Sequence, residues 1–574
     1  MCGIIGITGE KDIIPALVGG LEKLEYRGYD SAGIALAEND GLRVIRSVGR
    51  ISRLAEKLCG VTTCAHCGIG HTRWATHGRA TEINCHPHLS FGGKFAIVHN
   101  GIIENCRNLR DLCVSRGISP VSDTDSELIA HLLEFNYDGD VLRAVRKTSE
   151  MLEGSFAVGA VCSDDPDSIY AFKRISPLII GAGNGRCCLA SDGCAAAGYG
   201  DTYVLGDGQY AKLTPSGAEV WSRGRKITPK RVSGFGAWSC GTDGYAHYML
   251  KEILEQPEAA ARTIEAQSGK RLRGELLLLG CGSSYHAALS AVPLAERCTG
   301  RQAHALTAGE FICSERTGGR GKTAVLLSQS GETADTVAAA KEAAARGWST
   351  VAIANVQRSS LTRVCGKCAL THAGPEISVA TTKGFTSQVS ALAAMLAGGN
   401  RSEDVRRLPF AIERALETDA DASDASELFS ADRTAFFIGR RQDCGVALEG
   451  ALKLREITYI PAFGLSAGEL KHGSISLIEE GTPVVLIHTD RALKERTLLT
   501  AATVKARGGR VIAVTPDDEV AAAADLALRI PEVPPLLSPA VSVVPLQLLA
   551  YRTAVRLGRD VDKPRNLAKS VTVE

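Results

Sequence analysis

The sequence predicts an α+β N-terminal domain followed by two α/β domains with mainly parallel sheets. Three observations carry this. Short apolar runs recur at close intervals up to about residue 221, with helical patterns near 104–116 and 124–152. A stretch with basic and glycine-rich segments follows over 222–249. Beyond it, strand-like runs repeat at a nearly constant offset, each leading into a helical pattern.

The bulk properties fit that plan. A chain of 574 residues holds about three or four domains, and 45% hydrophobic residues allow sizeable cores. The formal net charge of +1 offers no basic excess for nucleic acid or an anionic membrane surface. No run of ~18 uncharged apolar residues suggests a membrane span. The first thirty residues lack a signal-type apolar core, with Asp12 and Pro15 interrupting, so a cytoplasmic location is expected. The 18 cysteines are expected to be thiols. Cys64-Ala-His-Cys67 and Cys365-Gly-Lys-Cys368 have a zinc-knuckle gap, but neither has a second pair nearby. Small buried hydrophobes are the better account of them, and neither a metal nor a cofactor is expected.

The opening strand begins at Cys2-Gly3-Ile4-Ile5-Gly6-Ile7. Its β-branched residues read as a buried strand. Removal of the initiator methionine is expected, because residue 2 is small. Cys2 then carries a thiol and a free α-amine of pKa near ~8, and the amine can serve as the thiol's own general base. Leu21–Leu24 sit on a helix, and Tyr26-Arg27-Gly28-Tyr29-Asp30-Ser31-Ala32-Gly33 reads as a glycine-rich turn. Strand-like runs follow at Ile34–Ala37, Ile69–His71, Phe95–His99, Ala157–Cys162, Ser168–Phe172, Leu178–Ile180 and Tyr203–Leu205.

Three polar clusters lie among these strands. His71-Thr72-Arg73-Trp74-Ala75-Thr76-His77-Gly78 follows one strand, His99-Asn100-Gly101 ends another, and Ser122-Asp123-Thr124-Asp125 precedes a helical run. A thiolate attacking an amide needs donors for the developing oxyanion. Asn100 and the N–H of Gly101 can supply them from one loop. Arg73 offers a planar fork for a substrate carboxylate, and Asp125 an anion for its ammonium. Plainer accounts exist for each: Asn-Gly is a hairpin dipeptide, and Asp125 sits where a helix N-cap would.

Together these motifs resemble the class II, N-terminal-nucleophile glutamine amidotransferases. The resemblance implies a stacked αββα fold that hydrolyses glutamine to glutamate and ammonia. It implies Cys2 as nucleophile, Asn100 with Gly101 as oxyanion hole, and Arg73 with Asp125 as the glutamine clamp. In sugar-aminating members it implies that Trp74 gates the ammonia path and that His77 lies in the glutamine pocket.

In the second half, Leu276–Leu279 ends at Gly280 and Ala435–Ile438 at Gly439, an offset of 159 (439 − 280). Ala324–Leu327 matches Val484–Ile487 at 160 (487 − 327), and Val351–Ala354 matches Val511–Val514 at 160 (511 − 351). Two copies of one α/β domain follow. In the first copy, Ser328-Gln329-Ser330-Gly331-Glu332-Thr333 joins a strand to a helix, and Gly280-Cys281-Gly282-Ser283-Ser284 makes a second such turn. Hydroxyls and open N–H groups at a helix N-terminus suit phosphate, at the sheet edge where α/β folds bind ligands. The second copy has His488-Thr489-Asp490-Arg491 instead, so one phosphate site per chain is expected. A capped helix without a ligand is the plainer account of the first. The tandem resembles two sugar isomerase (SIS) domains, which implies that Gly282, Ser283, Ser284, Ser328, Gln329, Ser330, Thr333, Val379 and Thr381 bind a sugar phosphate.

Glu449, Lys453 and Glu456 share one face of a helical stretch. Spacing alone favours a solvated ladder of ion pairs, although aldose–ketose chemistry needs a carboxylate to move a proton. His472 lies in a polar cluster suited to proton transfer. Ketone activation needs an amine able to form an imine, and spacing does not choose Lys569 over Lys383, Lys453 or Lys471. The order of the domains, closing on Asn566-Leu567-Ala568-Lys569-Ser570-Val571-Thr572-Val573-Glu574, resembles the family of isomerising glutamine–fructose-6-phosphate aminotransferases from end to end. That resemblance implies an amidotransferase domain over 1–221, a linker over 222–249, SIS domains over 266–402 and 427–562, and a catalytic tail over 563–574. It implies Lys569 as the imine lysine, Glu456 as the proton shuttle and His472, from a neighbouring subunit, as the ring opener. Glu449, Lys453 and Ala568 would stand nearby. The substrates implied are L-glutamine and D-fructose 6-phosphate, the products D-glucosamine 6-phosphate and L-glutamate, and the assembly a homodimer.

Overall fold

The computed structural model describes residues 2–74, 78–229, 231, 241–315, 318–357, 359–397 and 402–571. The chain divides into two units, with the boundary near residue 240.

In the first unit, the opening strand Gly3–Thr8 is apolar on both faces and needs cover on both. Ile5 and Ile7 pack beneath the helices Ile13–Glu22 and Ile51–Leu58, with Leu17, Leu21 and Leu54. Ile4 points the other way, into a cluster with Val98, Ala157 and Leu189. Burying each isoleucine contributes about 1.5–3 kcal/mol. The strand lies inside a seven-stranded sheet running Asp201–Val204, Ile179–Gly183, Arg186–Ala190, Gly3–Thr8, Cys67–Arg73, Ser31–Glu38, Gly41–Val48. Against it packs a second seven-stranded sheet: Arg225–Ile227, Gly217–Ser222, Gln209–Thr214, Asp165–Arg174, Gly154–Cys162, Phe95–Ile103, His88–Leu89. The helices Ser126–Phe135 and Val141–Met151 cover its outer face through Leu128, Leu132 and Val145 against Phe156 and Phe172. Helix, sheet, sheet, helix is the αββα stack.

Several local expectations shift. The helical stretch at 124–152 is two helices, parted by a turn in which Gly139 takes φ +99°. The first helix stops at Glu22, so Leu24 lies beyond it. Ser31–Gly33 belong to a strand rather than the glycine-rich turn, paired with Arg73–His71. Asn100 and Gly101 lie within the strand Phe95–Ile103, paired with Ala157 and Phe156, and not in a loop after it. Within the expected linker, Arg225–Ile227 forms an edge strand on Gly217–Ser222. Two helices follow, Tyr248–Leu254 and Gln256–Gln267.

The second unit holds two five-stranded sheets, parallel throughout. The first runs Ala303–Thr307, Leu276–Gly280, Thr323–Ser328, Ser349–Ala354, Lys367–Leu370. The second runs Ala462–Ser466, Ala435–Gly439, Pro483–Ile487, Arg510–Thr515, Leu526–Arg529, in the same spatial order. Register corrects one offset: Ile353 pairs with Leu327 and Val514 with Ile487, so the fourth strands are 161 apart (514 − 353), one more than read from sequence. The slip arises because an apolar run does not mark which residue faces which neighbour. No described helix is long and apolar enough to cross a membrane.

The paired cysteines divide. Cys67 is buried, with its thiol pushed up to about 12 by burial. Cys64 and Cys368 are exposed and Cys365 is half-buried, so the small-hydrophobe account holds for Cys67 alone.

Candidate functional site

The first constellation forms at the head of the opening strand. The Trp74 N–H donates to Cys2 Sγ at 3.3 Å. Behind it, Gly3 N–H donates to Thr72 Oγ1 at 3.1 Å and Ile4 N–H to Ser191 Oγ at 3.0 Å. A neighbouring strand and the residue that follows another therefore pin the first backbone amides, so Cys2 is not left on a fraying end. Asn100 Nδ2 donates to the Cys2 carbonyl at 2.9 Å. The orientation of that amide is set from behind. His71 Nε2 lies 3.0 Å from Asn100 Oδ1 and 3.0 Å from the His99 carbonyl. Both are acceptors, so Nε2 carries the proton and the amide nitrogen must face Cys2. Burial pushes the His71 imidazole down to about 3, which keeps it neutral. His71 was legible only as part of a motif. Its orienting role depends on a contact across two sheets.

Gly101 adopts φ +135°, and a Cβ there would stand 1.9 Å from the Ser155 carbonyl oxygen. Only glycine fits, which replaces the hairpin account of Asn100-Gly101 with a strand position crowded by the neighbouring backbone. Arg73 is buried and donates to the Gly78 and Arg79 carbonyls at 3.2 and 3.3 Å. Asp125 does not cap its helix. Its Oδ2 accepts the Ile103 N–H at 2.8 Å, which ties the end of the Asn100 strand. The Trp74 ring meets Tyr29 edge-on at 5.5 Å. His77 lies outside the described residues.

The second constellation gathers around the tail. Ala334 N–H, at the head of the helix Ala334–Ala345, donates to the Val571 carbonyl at 3.1 Å. Lys569 Nζ donates to Glu376 Oε2 at 2.6 Å and to the Ser378 carbonyl at 2.8 Å, with Thr381 Oγ1 at 3.5 Å. Its side chain is 4% exposed and that of Glu376 is 0%. Glu376 Oε1 also accepts the N–H groups of Thr382 and Gly384 at 2.9 and 2.8 Å. Burial alone would raise the Glu376 carboxyl, but Lys569 beside it outweighs that and holds it below its ordinary range. No sequence signal marked Glu376, which stands 193 positions before Lys569.

The same tail lies against the hydroxyl-rich turn. Ser328 Oγ accepts the Gly331 N–H at 3.0 Å and contacts Thr333 Oγ1 at 3.0 Å, and Ser330 Oγ accepts the Glu332 N–H at 3.1 Å. Thr333 therefore does not cap the helix that follows, contrary to the plainer account. Gln329 takes Asn355 N–H on its carbonyl at 3.0 Å. In the turn 280–284, Gly282 has φ +53°, Ser283 opens the helix Ser283–Thr299, and Ser284 Oγ accepts Gln388 Nε2 at 3.0 Å. Val379 N–H is held by the Asp562 carbonyl at 2.9 Å. Ala568 directly precedes the lysine in the anchored tail.

Glu449, Lys453 and Glu456 lie on the helix Gln442–Thr458. Lys453 Nζ stands 2.5 Å from Glu456 and 3.6 Å from Glu449, and Glu449 accepts from His286 Nδ1 at 2.8 Å. The side chains of Glu449 and Lys453 are 0% and 1% exposed, so this is no solvated ladder. Burial would lower the Lys453 ammonium, yet Glu456 and Glu449 raise it above its ordinary value. The other lysines have different surroundings: Lys383 is buried against Glu255, and Lys471 is exposed. His472 is exposed on its own turn, and no hydrogen bond or ion pair among the described residues joins it to Lys569 or Glu456.

Comparison with known proteins agrees with the domain types. Residues 71–196 match the glutamine amidotransferase domain model, and 273–398 and 427–557 each match the SIS domain model. The chain is similar to the glutamine–fructose-6-phosphate aminotransferase [isomerizing] of Symbiobacterium thermophilum, 41% identical over 613 aligned positions that cover 100% of both chains. It is 42% identical to the enzyme of that name from Thermococcus kodakarensis, again over 100% of both. Among solved structures it is similar to the C-terminal domain of glucosamine-fructose-6-phosphate aminotransferase from Francisella tularensis, with TM-score 0.53 and 33% identity over 56% of this chain and 100% of that one. End-to-end identity at this level, on the two domain types found here, places the chain in the family of isomerising glutamine–fructose-6-phosphate aminotransferases.

Proposed function

We propose that this enzyme converts D-fructose 6-phosphate and L-glutamine to D-glucosamine 6-phosphate and L-glutamate, the entry step of amino-sugar synthesis. The single observation that carries the reading is the anchored tail: Lys569 is buried on Glu376 and Ser378, while Val571 lies on the helix that follows the hydroxyl-rich turn. A phosphosugar bound by Ser328, Gln329, Ser330 and Thr333, with Gly282, Ser283 and Ser284 opposite, then presents its carbonyl carbon to an amine. Lys569 forms the imine with the open-chain ketose. Glu456 moves the proton between the neighbouring carbons, with Lys453 and Glu449 holding its charge. His472 assists ring opening from the second subunit of a homodimer, and Val379, Thr381 and Ala568 border the sugar.

Nitrogen comes from the other constellation. The Cys2 thiolate, served by its own α-amine, attacks the glutamine amide. Asn100 Nδ2 and the Gly101 N–H stabilise the oxyanion, Arg73 and Asp125 hold the amino-acid ends, and His77 completes the glutamine pocket. Ammonia, gated by Trp74, passes internally to the sugar, because ammonium in water is no nucleophile. The reaction is set in the cytoplasm.

Incubation with amide-labelled glutamine and fructose 6-phosphate tests this. Label is expected in the amino sugar, and its absence from any sugar product rejects the reading. Cys2→Ala is expected to abolish that transfer while phosphosugar isomerisation stays measurable.

A further inference from the structure

Beside Lys569 and Glu376 lies a third ionisable group that the reaction above does not use. Glu252, from the helix Tyr248–Leu254, is 2% exposed. Its Oε1 accepts the N–H groups of Ile377 and, at 3.2 Å, Ser378. These follow Glu376, and the carbonyl of Ser378 is itself an acceptor for Lys569. Oε2 of Glu252 is buried and has no hydrogen-bond partner among the described residues. An ionised carboxylate in that position would leave a charged oxygen undonated inside the protein, whereas a neutral acid carries its proton there.

Charge balance gives this a consequence. The charged groups that act on Glu252 are Lys569, Glu376, Lys383 and Lys251; Lys383 is paired with Glu255, and Lys251 with Asp243. With Glu252 neutral, the Lys569 ammonium faces one carboxylate. With Glu252 ionised it would face two, and the second negative charge would hold its proton. Imine formation requires that proton to leave, to Glu376 as the amine attacks, and to return on the hydroxyl lost as water. We propose that Glu252 is a positioning residue for Lys569: as a neutral acid it fixes the Ile377–Ser378 backbone that holds the amine, and by staying uncharged it lets the amine shed its proton. Burial, acting against the attraction of Lys569, pushes the Glu252 carboxyl up to about 8, so it stays protonated at neutral pH.

The proposal rests on Lys569 being the imine lysine, and the experiment separates the two claims. Borohydride reduction of the full-length enzyme with fructose 6-phosphate is expected to tag Lys569 in wild type and in Glu252→Gln. Tagging elsewhere overturns the parent reading. With Lys569 tagged, kcat/KM for phosphosugar isomerisation is expected to fall above about pH 8 in wild type, while Glu252→Gln stays within about threefold of wild type at pH 7 and lacks that fall. An identical alkaline limb in Glu252→Gln overturns the inference, as does loss of isomerisation in a Glu252→Gln protein that still hydrolyses glutamine. Glu252→Ala, which also removes the backbone anchor, is expected to lose more than tenfold in kcat at pH 7. Equal activity of the Ala and Gln variants overturns the anchoring half of the proposal.

Discussion

The two parallel-sheet domains of the second unit share a backbone and differ in charge. Their helices Ser283–Thr299 and Gln442–Thr458 begin after residues of nearly identical geometry, Gly282 at φ 53°, ψ −128° and Arg441 at φ 53°, ψ −125°. They end on left-handed residues, Gly300 and Tyr459. The second copy keeps glycine-like turns without glycine. At the turns where the first copy has hydroxyls, it has carboxylates: Ser284 corresponds to Asp443 and Ser330 to Asp490. Asp443 is buried and folds back on Thr489, accepting its N–H at 2.9 Å and its hydroxyl at 2.6 Å. Asp490 pairs with Arg441 at 2.8 Å. The second copy thus fills its turn with its own carboxyl groups and uses it as a structural joint. The lesson is that two copies of one fold come to differ through side chains at two turns, with the strand order unchanged.

That contrast can be broken in order of expected effect. The largest follows from writing the second copy's charges into the first. Ser284→Asp with Ser330→Asp places carboxylates against a phosphate, and like-charge contacts cost several kcal/mol, so KM for fructose 6-phosphate is expected to rise at least ~100-fold. Glutamine hydrolysis serves as the folding control. Ordinary sugar-phosphate binding by this double variant would mean that the turns of the first copy do not hold the phosphate.

A smaller effect concerns Asp443. Burial, partly offset by the bonds from Thr489, pushes its carboxyl up to about 7. Its folded value lies above its ordinary one, so the stability it contributes is present near pH 4 and is lost as the pH rises through 7. Asp443→Asn is expected to flatten that slope between pH 5 and pH 8 by on the order of 1–2 kcal/mol, read from denaturation midpoints. An unchanged slope would show that the joint carries a full charge throughout.

The smallest is Arg441→Gly. Relief of the positive-φ strain is worth ~1 kcal/mol or more, against a half-exposed ion pair with Asp490 worth at most ~1 kcal/mol. A gain of up to ~1 kcal/mol is expected in urea denaturation. A loss above that size would make the Arg441–Asp490 pair, rather than backbone geometry, the feature that holds the turn.

Much of this molecule was legible beforehand. Apolar runs located the buried strands, because a strand covered on both faces must be apolar at nearly every position. The repeat at 159–160 residues revealed two copies, and the motifs around Cys2, Arg73, Asn100 and Ser328 marked most of the candidate groups. What stayed hidden had a common cause. Nothing local distinguishes Asn100-Gly101 in a strand from the same pair in a hairpin; pairing with Ala157 and Phe156 decides it. Nothing near Lys569 announces Glu376 or Glu252, because they reach it across 193 and 317 positions of chain. The sequence by itself determined which segments must be buried, since burial follows from side-chain chemistry read one strand at a time. Only the tertiary structure decided which buried charges meet, since a carboxylate and an amine compensate each other through distance in space, and that distance is set by the packing of every element between them.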